Sequence, residues 1–415
     1  MTADEPDTTS SASVAARGSV WEVFWAFLRL GVTSFGGPIA HLGYFRDDLV
    51  ARRRWMTDKA YADLVALCQF LPGPASSQVG FAMGLHRAGA LGAVAAFLAF
   101  TLPSAILMVA FAFGAALFEG VIGEGLLTGL KIVAVAIVAQ AVWGMARTLT
   151  PDARRASVAV VAAVIALLLA GSIGQVLAIV LGALAGLILC RSQPVAGLGD
   201  TGLTRFPVSR RVGVVSLSAF VVILLGMPVL AALTGNGSLS VFDTFFRAGA
   251  LVFGGGHVVL PLLQAGVVET GWVTPEQFLA GYGAVQAMPG PLFTFAAYLG
   301  TLATVGPGGV LGAAVALTAI FLPGFLLLVG VLPFWNALQT RTWMQALMRG
   351  ANAAVVGILG AALYDPLFTT SIIGPGSFSL ALACFVLLIS WRLPPWAVVL
   401  VGGAGGILLA ALGAH

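Results

Sequence analysis

Apolar residues run in long stretches along this chain, near 89–118, 125–147, 156–170, 173–190, 213–233, 306–333, 346–364, 377–391 and 395–413. Most are long enough for a helix to cross a hydrocarbon core of ~30 Å, which takes about 20 residues. The shorter ones need help from their flanks. Between them lie briefer apolar pieces broken by glycine and proline. Phe24 to Phe35 runs into Gly36-Gly37-Pro38, and a second piece continues to about Val50. Tyr61 to Leu71 runs into Pro72-Gly73-Pro74 and resumes from Ala75 to His86. Each piece has about 12 residues, or roughly 18 Å as helix, and reaches about halfway across. The pattern predicts two re-entrant hairpins of half-helices turning at membrane depth. Proline removes an N–H donor and glycine permits unusual dihedrals, so both suit such a turn. Short, tilted full crossings fit the same lengths.

The broken pattern occurs twice. Arg29, Phe35-Gly36-Gly37, Trp55, Thr57 and Gln69…Pro72-Gly73-Pro74 return as Arg247, Phe253-Gly254-Gly255, Trp272, Thr274 and Gln286…Pro289-Gly290-Pro291. The offset is 218 from Arg29 to Arg247 and 217 from Gly73 to Gly290. The second copy predicts matching hairpins at 241–270 and 275–304. Duplicated helix breakers in a very apolar chain mark a repeat-built membrane transporter. The expected organisation is a disordered polar tail at 1–19, a first repeat at 20–191, a linker with one inverting helix at 192–235, and a second repeat at 236–415. The fold class expected is an all-α polytopic membrane protein with two homologous inverted-topology repeats.

Charge sets the orientation. Arg46, Arg52, Arg53, Arg54 and Lys59 lie between the first two hairpins, Arg17 precedes them, and Arg87 follows. Cytoplasmic loops carry the excess of Lys and Arg. The loop with Glu119 and Glu124 has no basic residue and reads as external. Arg147, Arg154, Arg155, Arg191, Arg205, Arg210 and Arg211 read as internal. Helix 213–233 then flips the frame, so Glu269 and Glu276 fall outside, while Arg341, Arg349 and Arg392 fall inside. The N-terminus is thus expected in the cytoplasm and the C-terminus outside. Composition agrees with a bilayer setting: 59% of residues are hydrophobic and 9% charged, with mean hydropathy +1.02, against roughly 25% charged in soluble domains. The net charge of +4 is too small to suggest nucleic acid. Cys68, Cys190 and Cys384 lack metal-site spacing and read as buried thiols.

A bend inside the membrane leaves backbone N–H groups without helical partners, and the half-helix beyond it turns its positive end toward the gap. An anion would satisfy both. The residues expected to bind it are Gly36, Gly37, His41, Gly73, Ser76, Ser77 and Gln78 in the first copy. Those of the second are Gly254, Gly255, His257, Gly290 and Thr294. An arginine facing lipid costs ~2.5–3.5 kcal/mol or more, so Arg29, Arg247 and the intrahelical Lys131 are candidates to offset the substrate's charge. Snorkelling, or pairing with an acid such as Glu22, Asp63 or Asp243, is the alternative for the arginines. Asp63 and Asp365 are candidates for proton coupling. Phosphate loop, zinc spacing, nucleophile elbow and cofactor motif are all missing from the sequence, so neither an ATPase nor a metal or cofactor is expected.

FGGPIAHLGYFRDDLVARRRW (from Phe35), YADLVALCQFLPGPASSQVGFAMGLHRAG (from Tyr61), FGGGHVVLPLLQ (from Phe253) and AVQAMPGPLFTFAAYLG (from Ala284) resemble the chromate ion transporter superfamily in its long, two-domain form. The resemblance covers essentially the whole chain after residue 20. It implies a bacterial inner-membrane protein that exports chromate from the cytoplasm, with sulfate as competitor or counter-substrate. The second copy departs at Pro38, which becomes Gly256, and lacks the RRR cluster, so an asymmetric site is expected. Import of sulfate or another oxyanion is the rival within the class, and a membrane-embedded enzyme the rival outside it. The sequence leaves a homodimer open.

Overall fold

The computed structural model describes residues 18–115, 121–169, 171–190, 206–253, 256–335 and 341–412, and these are helical without strands. Most of the expected tail and the linker stretch 191–205 lie outside the described residues. Helix α1 (Val20–Thr33) begins where the Ser19 hydroxyl accepts the Glu22 N–H, which satisfies one of the orphan donors of the first turn. It stops ahead of Gly36 and Gly37, and α2 (Gly37–Phe45) leads away through a π turn to Arg52. Helix α3 (Asp58–Phe70), capped by Thr57, stops at Pro72-Gly73-Pro74. Helix α4 (Ala75–Ala115) is two rods, because Ala88 and Gly89 leave helical dihedrals. A Cβ on Gly84 would strike the Gly92 carbonyl and Ala96, so the chain folds back sharply there. The first repeat therefore opens with the four short rods that glycine and proline spacing predicts, followed by a full-length helix.

The second repeat builds the same series: α9 (Gly237–Ala250), a broken rod at 256–268 containing α10 (Val259–Leu263), α11 (Pro275–Val285), then a 3-10 turn leading into α12 (Phe295–Leu302). Helix α13 (Gly309–Val331) corresponds to the long limb of α4, and Gly300 nests on Gly312 as Gly84 does on Gly92. The remaining helices are α5 (Val121–Leu149), α6 (Ala153–Leu168), α7 (Ser172–Leu189), α8 (Arg210–Thr234), α14 (Thr342–Ala362), α15 (Pro375–Ile389) and α16 (Pro395–Leu412). Six helices among the described residues are long and apolar enough to cross a membrane. Beyond the short rods of the two hairpins, which enter and leave on one side, five rods lead to α9: the long limb of α4, then α5, α6, α7 and α8. An odd number of crossings inverts the second repeat.

The repeats interlock. Helices α15 and α16 of the second pack on α5 of the first, while α6 and α7 of the first pack on α14 of the second. The contacts are reciprocal at residue level. Gly129 meets the backbone of Gly402, and their equivalents Gly350 and Gly182 meet in the same way. Lipid gives helices no hydrophobic reason to associate, so backbone approach at small residues supplies dispersion instead. Helix α8 has no counterpart. It lies against α9 and α13 with almost all of its apolar surface outward, as an added helix at the perimeter should.

Candidate functional site

The two Pro-Gly-Pro turns meet the ends of α1 and α9 where the repeats come together. The Gly73 N–H donates to the Val252 carbonyl at 2.8 Å, and the Gly290 N–H donates to the Ser34 carbonyl at 2.9 Å. Gly73 and Gly290 are repeat equivalents, and so are Ser34 and Val252. Each Pro-Gly-Pro turn thus bonds to the end of the first half-helix of the other repeat. Both glycines need their freedom, with φ of 119° and 94°. A Cβ at Gly256 would sit 3.3 Å from Pro38, so these equivalent positions face each other. The bend of the second repeat at Gly254 and Gly255 lies outside the described residues.

The long helices flank this centre at a proline. Pro103 in α4 and Pro323 in α13 remove the donors that would reach the carbonyls of Ala99 and Ala319. Gly31 presses on the Ala99 and Phe100 carbonyls, and Gly249 on that of Ile320. Beside Pro323, the Gln78 Nε2 donates to the Gly324 carbonyl at 2.9 Å and to that of Pro72 at 3.0 Å. Beside Pro103, the Thr294 hydroxyl donates to the Pro291 carbonyl at 2.8 Å. Its single proton is spent, so the 2.7 Å contact with Ser104 is donated by Ser104. Again a residue following one repeat's Pro-Gly-Pro turn reaches the kinked helix of the other.

The centre is dry in side-chain surface yet rich in polar groups. Ser34, His41 and Gln78 are wholly buried, with Ser76 and Ser77 nearly so. His41 stands edge-on to Phe100, and its Nδ1 is 3.4 Å from the Ser76 hydroxyl. Ser34 Oγ, His41 Nε2, Ser77 Oγ and Gln286 Nε2 are buried without a hydrogen-bond partner. Orphaned buried polar atoms cost ~1–3 kcal/mol each, and these four lie close to the turns in sequence. On the second repeat's side, His257 Nδ1 meets the buried Tyr282 hydroxyl at 2.7 Å.

The cations separate into three situations. Arg29 lies on the outward face of α1 in line with Trp21, Trp25 and Val32, seven residues before the bend, and borders a hollow with Tyr44, Asp47 and Arg52. Arg247 is ion-paired with the buried Asp243 one turn earlier, so the pairing alternative is the one the fold adopts. Lys131 sits half-buried in α5, without a hydrogen bond or ion pair among the described residues. Its neighbour Leu130 presents a backbone carbonyl to Gly283 of α11, one turn before Gln286. Asp63 is half-buried with Oδ2 unpartnered. Asp365 is exposed and accepts the Thr369 hydroxyl, away from the bends. The sequence reading overlooked Ser34, Ser104, Tyr282 and Gly324. A second recurrent signal was there to find Ser104 and Gly324, since Leu102-Pro103-Ser104 returns as Leu322-Pro323-Gly324.

Two stretches, 21–187 and 239–407, match the family described as chromate transporter. A chromate transport protein of Pseudomonas aeruginosa is 28% identical over 399 residues, covering 94% of this chain and 92% of its own. One of Cupriavidus metallidurans is 28% identical over 406 residues, covering 96% of each. An uncharacterized transporter of Methanocaldococcus jannaschii is 24% identical over 352 residues, covering 83% of each. No solved structure matches the chain. With both repeats matched over most of their length, the chain belongs to the chromate transporter family.

Proposed function

We propose that this protein is a secondary transporter that carries chromate out of the cytoplasm across the inner membrane, with sulfate as competitor. The observation that carries the reading is the pair of cross-repeat bonds from the Pro-Gly-Pro turns, through Gly73 and Gly290, with buried, unpartnered polar groups beside them. A tetrahedral dianion placed there would take hydrogen bonds from Ser34, His41, Ser77 and Gln286. It would also displace the Val252 and Ser34 carbonyls from the glycine N–H groups. Lys131 is the charged side chain assigned to the substrate's pathway, and Arg29 the one assigned to its cytoplasmic approach. Arg247 is assigned to holding Asp243. The distribution of basic loops supports a cytoplasmic N-terminus and an external C-terminus.

Moving a dianion outward across an inside-negative membrane is favourable by ~4.6 kcal/mol at 100 mV, from ~2.3 per charge. ATP is then unnecessary. Everted vesicles test the reading through uptake of chromate with and without sulfate. Accumulation that sulfate reduces is expected, and absence of both accumulation and competition overturns the substrate. Collapse of the potential slows a carrier that moves net charge and leaves a one-for-one exchanger of dianions unchanged.

A further inference from the structure

A basic hollow lies away from the bends, where the repeats meet at one end of the helices. The end of α7, the start of α6 and the first turns of α14 enclose a hollow of about 270 Å³. Among the described residues its walls include Arg154, Arg155 and Arg349 and one carboxylate, Asp152. Arg154 Nη1 donates to the Leu189 carbonyl at 3.2 Å, and Arg349 Nη1 to the Cys190 carbonyl at 3.1 Å. These bonds cap the last carbonyls of α7 and so hold both guanidinium groups over its end. Asp152 caps α6 and pairs with Arg155 through Nε at 2.6 Å. The backbone N–H of Arg155, followed by its guanidinium, holds the Asp152 carboxyl below the usual carboxylate range. Asp152 therefore stays charged, and among the described lining residues three guanidinium groups stand beside this one carboxylate. The N-terminus of α6 opens on the same space and adds to its attraction for an anion.

The surface next to this hollow is apolar and unpartnered. Leu177, Leu181, Leu184 and Ile188 repeat at helical spacing down the outer face of α7, and Ile188 is 81% exposed. Val160, Val161, Val164 and Leu168 do the same on α6. Two outward stripes thus lead from the arginines into the hydrocarbon region. A free oxyanion would need only the charge. A phosphodiester headgroup whose acyl chains lie along α6 and α7 uses both features. Basic pockets between transmembrane helices on the cytoplasmic side suit such headgroups.

We propose that this hollow is a binding site for the phosphate headgroup of an anionic phospholipid, seated across the junction of the two repeats. Arg154 and Arg155 come from the first repeat and Arg349 from the second. A bound headgroup would therefore tie α6 and α7 to α14 and stabilise the interlocked arrangement.

The full chain, purified in neutral detergent, is titrated with phosphatidylglycerol, phosphatidylcholine or inorganic phosphate. Retained lipid is read by native mass spectrometry, and stability by thermal unfolding. Phosphatidylglycerol is expected to remain bound and raise the melting temperature, while phosphatidylcholine and inorganic phosphate at equal concentration do neither. Charge-assisted hydrogen bonds are worth ~1.5–3 kcal/mol each, so R154Q and R349Q should each weaken phosphatidylglycerol about tenfold or more. Those arginines also cap α7, so L189E supplies a second test that leaves the caps in place and puts a carboxylate in the hollow. It should abolish the phosphatidylglycerol effect. Equal stabilisation by phosphatidylcholine, a full effect from inorganic phosphate alone, or undiminished lipid retention in L189E overturns the proposal.

Discussion

Gly73 and Gly290 offer the sharpest test of a functional centre at the crossed bends. At Gly73 the backbone has φ of 119°, and an added Cβ would lie 3.0 Å from Gly324 Cα and 3.0 Å from the Gln78 amide nitrogen. At Gly290, with φ of 94°, it would lie 3.2 Å from the Phe100 carbonyl and 3.2 Å from Ser104 Cβ. Neither alanine fits without moving backbone of the opposite repeat. A non-glycine residue held in such a dihedral region costs ~1–3 kcal/mol, before any steric term. That corresponds to roughly 5–150-fold in the population of the cross-bonded arrangement. G73A and G290A should each reduce chromate uptake into everted vesicles at least tenfold, at unchanged protein per unit of membrane. The controls are G144A and G226A. Both positions are helical, with nothing within 4 Å of the added Cβ, and alanine there gains up to ~1 kcal/mol of helix propensity. They should transport at wild-type rates. Wild-type uptake by G73A and G290A at equal abundance would refute the assignment. Loss in the control variants as well would show that glycine replacement anywhere in the bundle is harmful and would remove the argument.

Other substitutions separate the remaining roles. K131Q should lower chromate uptake at least tenfold without changing abundance or thermal stability, because no ion pair is broken; a fall in stability that parallels the loss would mark the lysine as structural. R247Q leaves Asp243 buried without its partner, a loss on the order of 3–5 kcal/mol for a fully buried pair and less for this half-exposed arginine. The pair R247Q/D243N should then recover both melting temperature and uptake, and recovery of stability alone would return Arg247 to the substrate. G402L should prevent folding, since even a Cβ at Gly402 overlaps the Val133 side chain; fluorescence-detected size exclusion reads the outcome, and a monodisperse wild-type peak contradicts the interlocked packing.

Much of this architecture was legible because helix breakers report local backbone chemistry. The Gly36-Gly37-Pro38 and Pro72-Gly73-Pro74 bends follow from φ freedom and missing donors, which act within a few residues. The fold puts them at the ends of α1 and α3, where they were expected. The count of apolar runs likewise fixed the parity that inverts α9 relative to α1. The swapping of α6 and α7 onto α14 was not legible, because Gly182, Gly350, Gly129 and Gly402 look like any glycines in apolar helices until their partners are known. The same limit applies to charge. Arg29 and Arg247 are identical by repeat position, yet only Arg247 has an aspartate one turn earlier, since Trp25 occupies the place of Asp243. Repeat symmetry suggested one role for both, and a single side chain outside the symmetry gives them different surroundings.

The cross-repeat bonds bear on how such a carrier could return without its cargo. In the proposed cycle the glycine N–H groups serve an oxyanion in one stage and peptide carbonyls in the other. A bare N–H facing hydrocarbon costs several kcal/mol, so an empty site with open bends would be a barrier to reorientation. Here each bend is closed by the Ser34 or Val252 carbonyl of the opposite repeat. A neutral bond of this kind is worth about 1 kcal/mol net, and a charge-assisted one ~1.5–3. The anion can therefore displace the carbonyls with a modest gain, and the carbonyls can reclaim the donors once it leaves. Because the two bonds are related by the pseudo-two-fold axis, opening toward either face need break only one while the other holds the repeats together. Loosening one half alone should therefore affect one direction more than the other. S104A, which removes a contact between α4 and Thr294 beside the Gly290 bend alone, should change uptake and release rates unequally. Equal changes in both directions would show that the two bends open together.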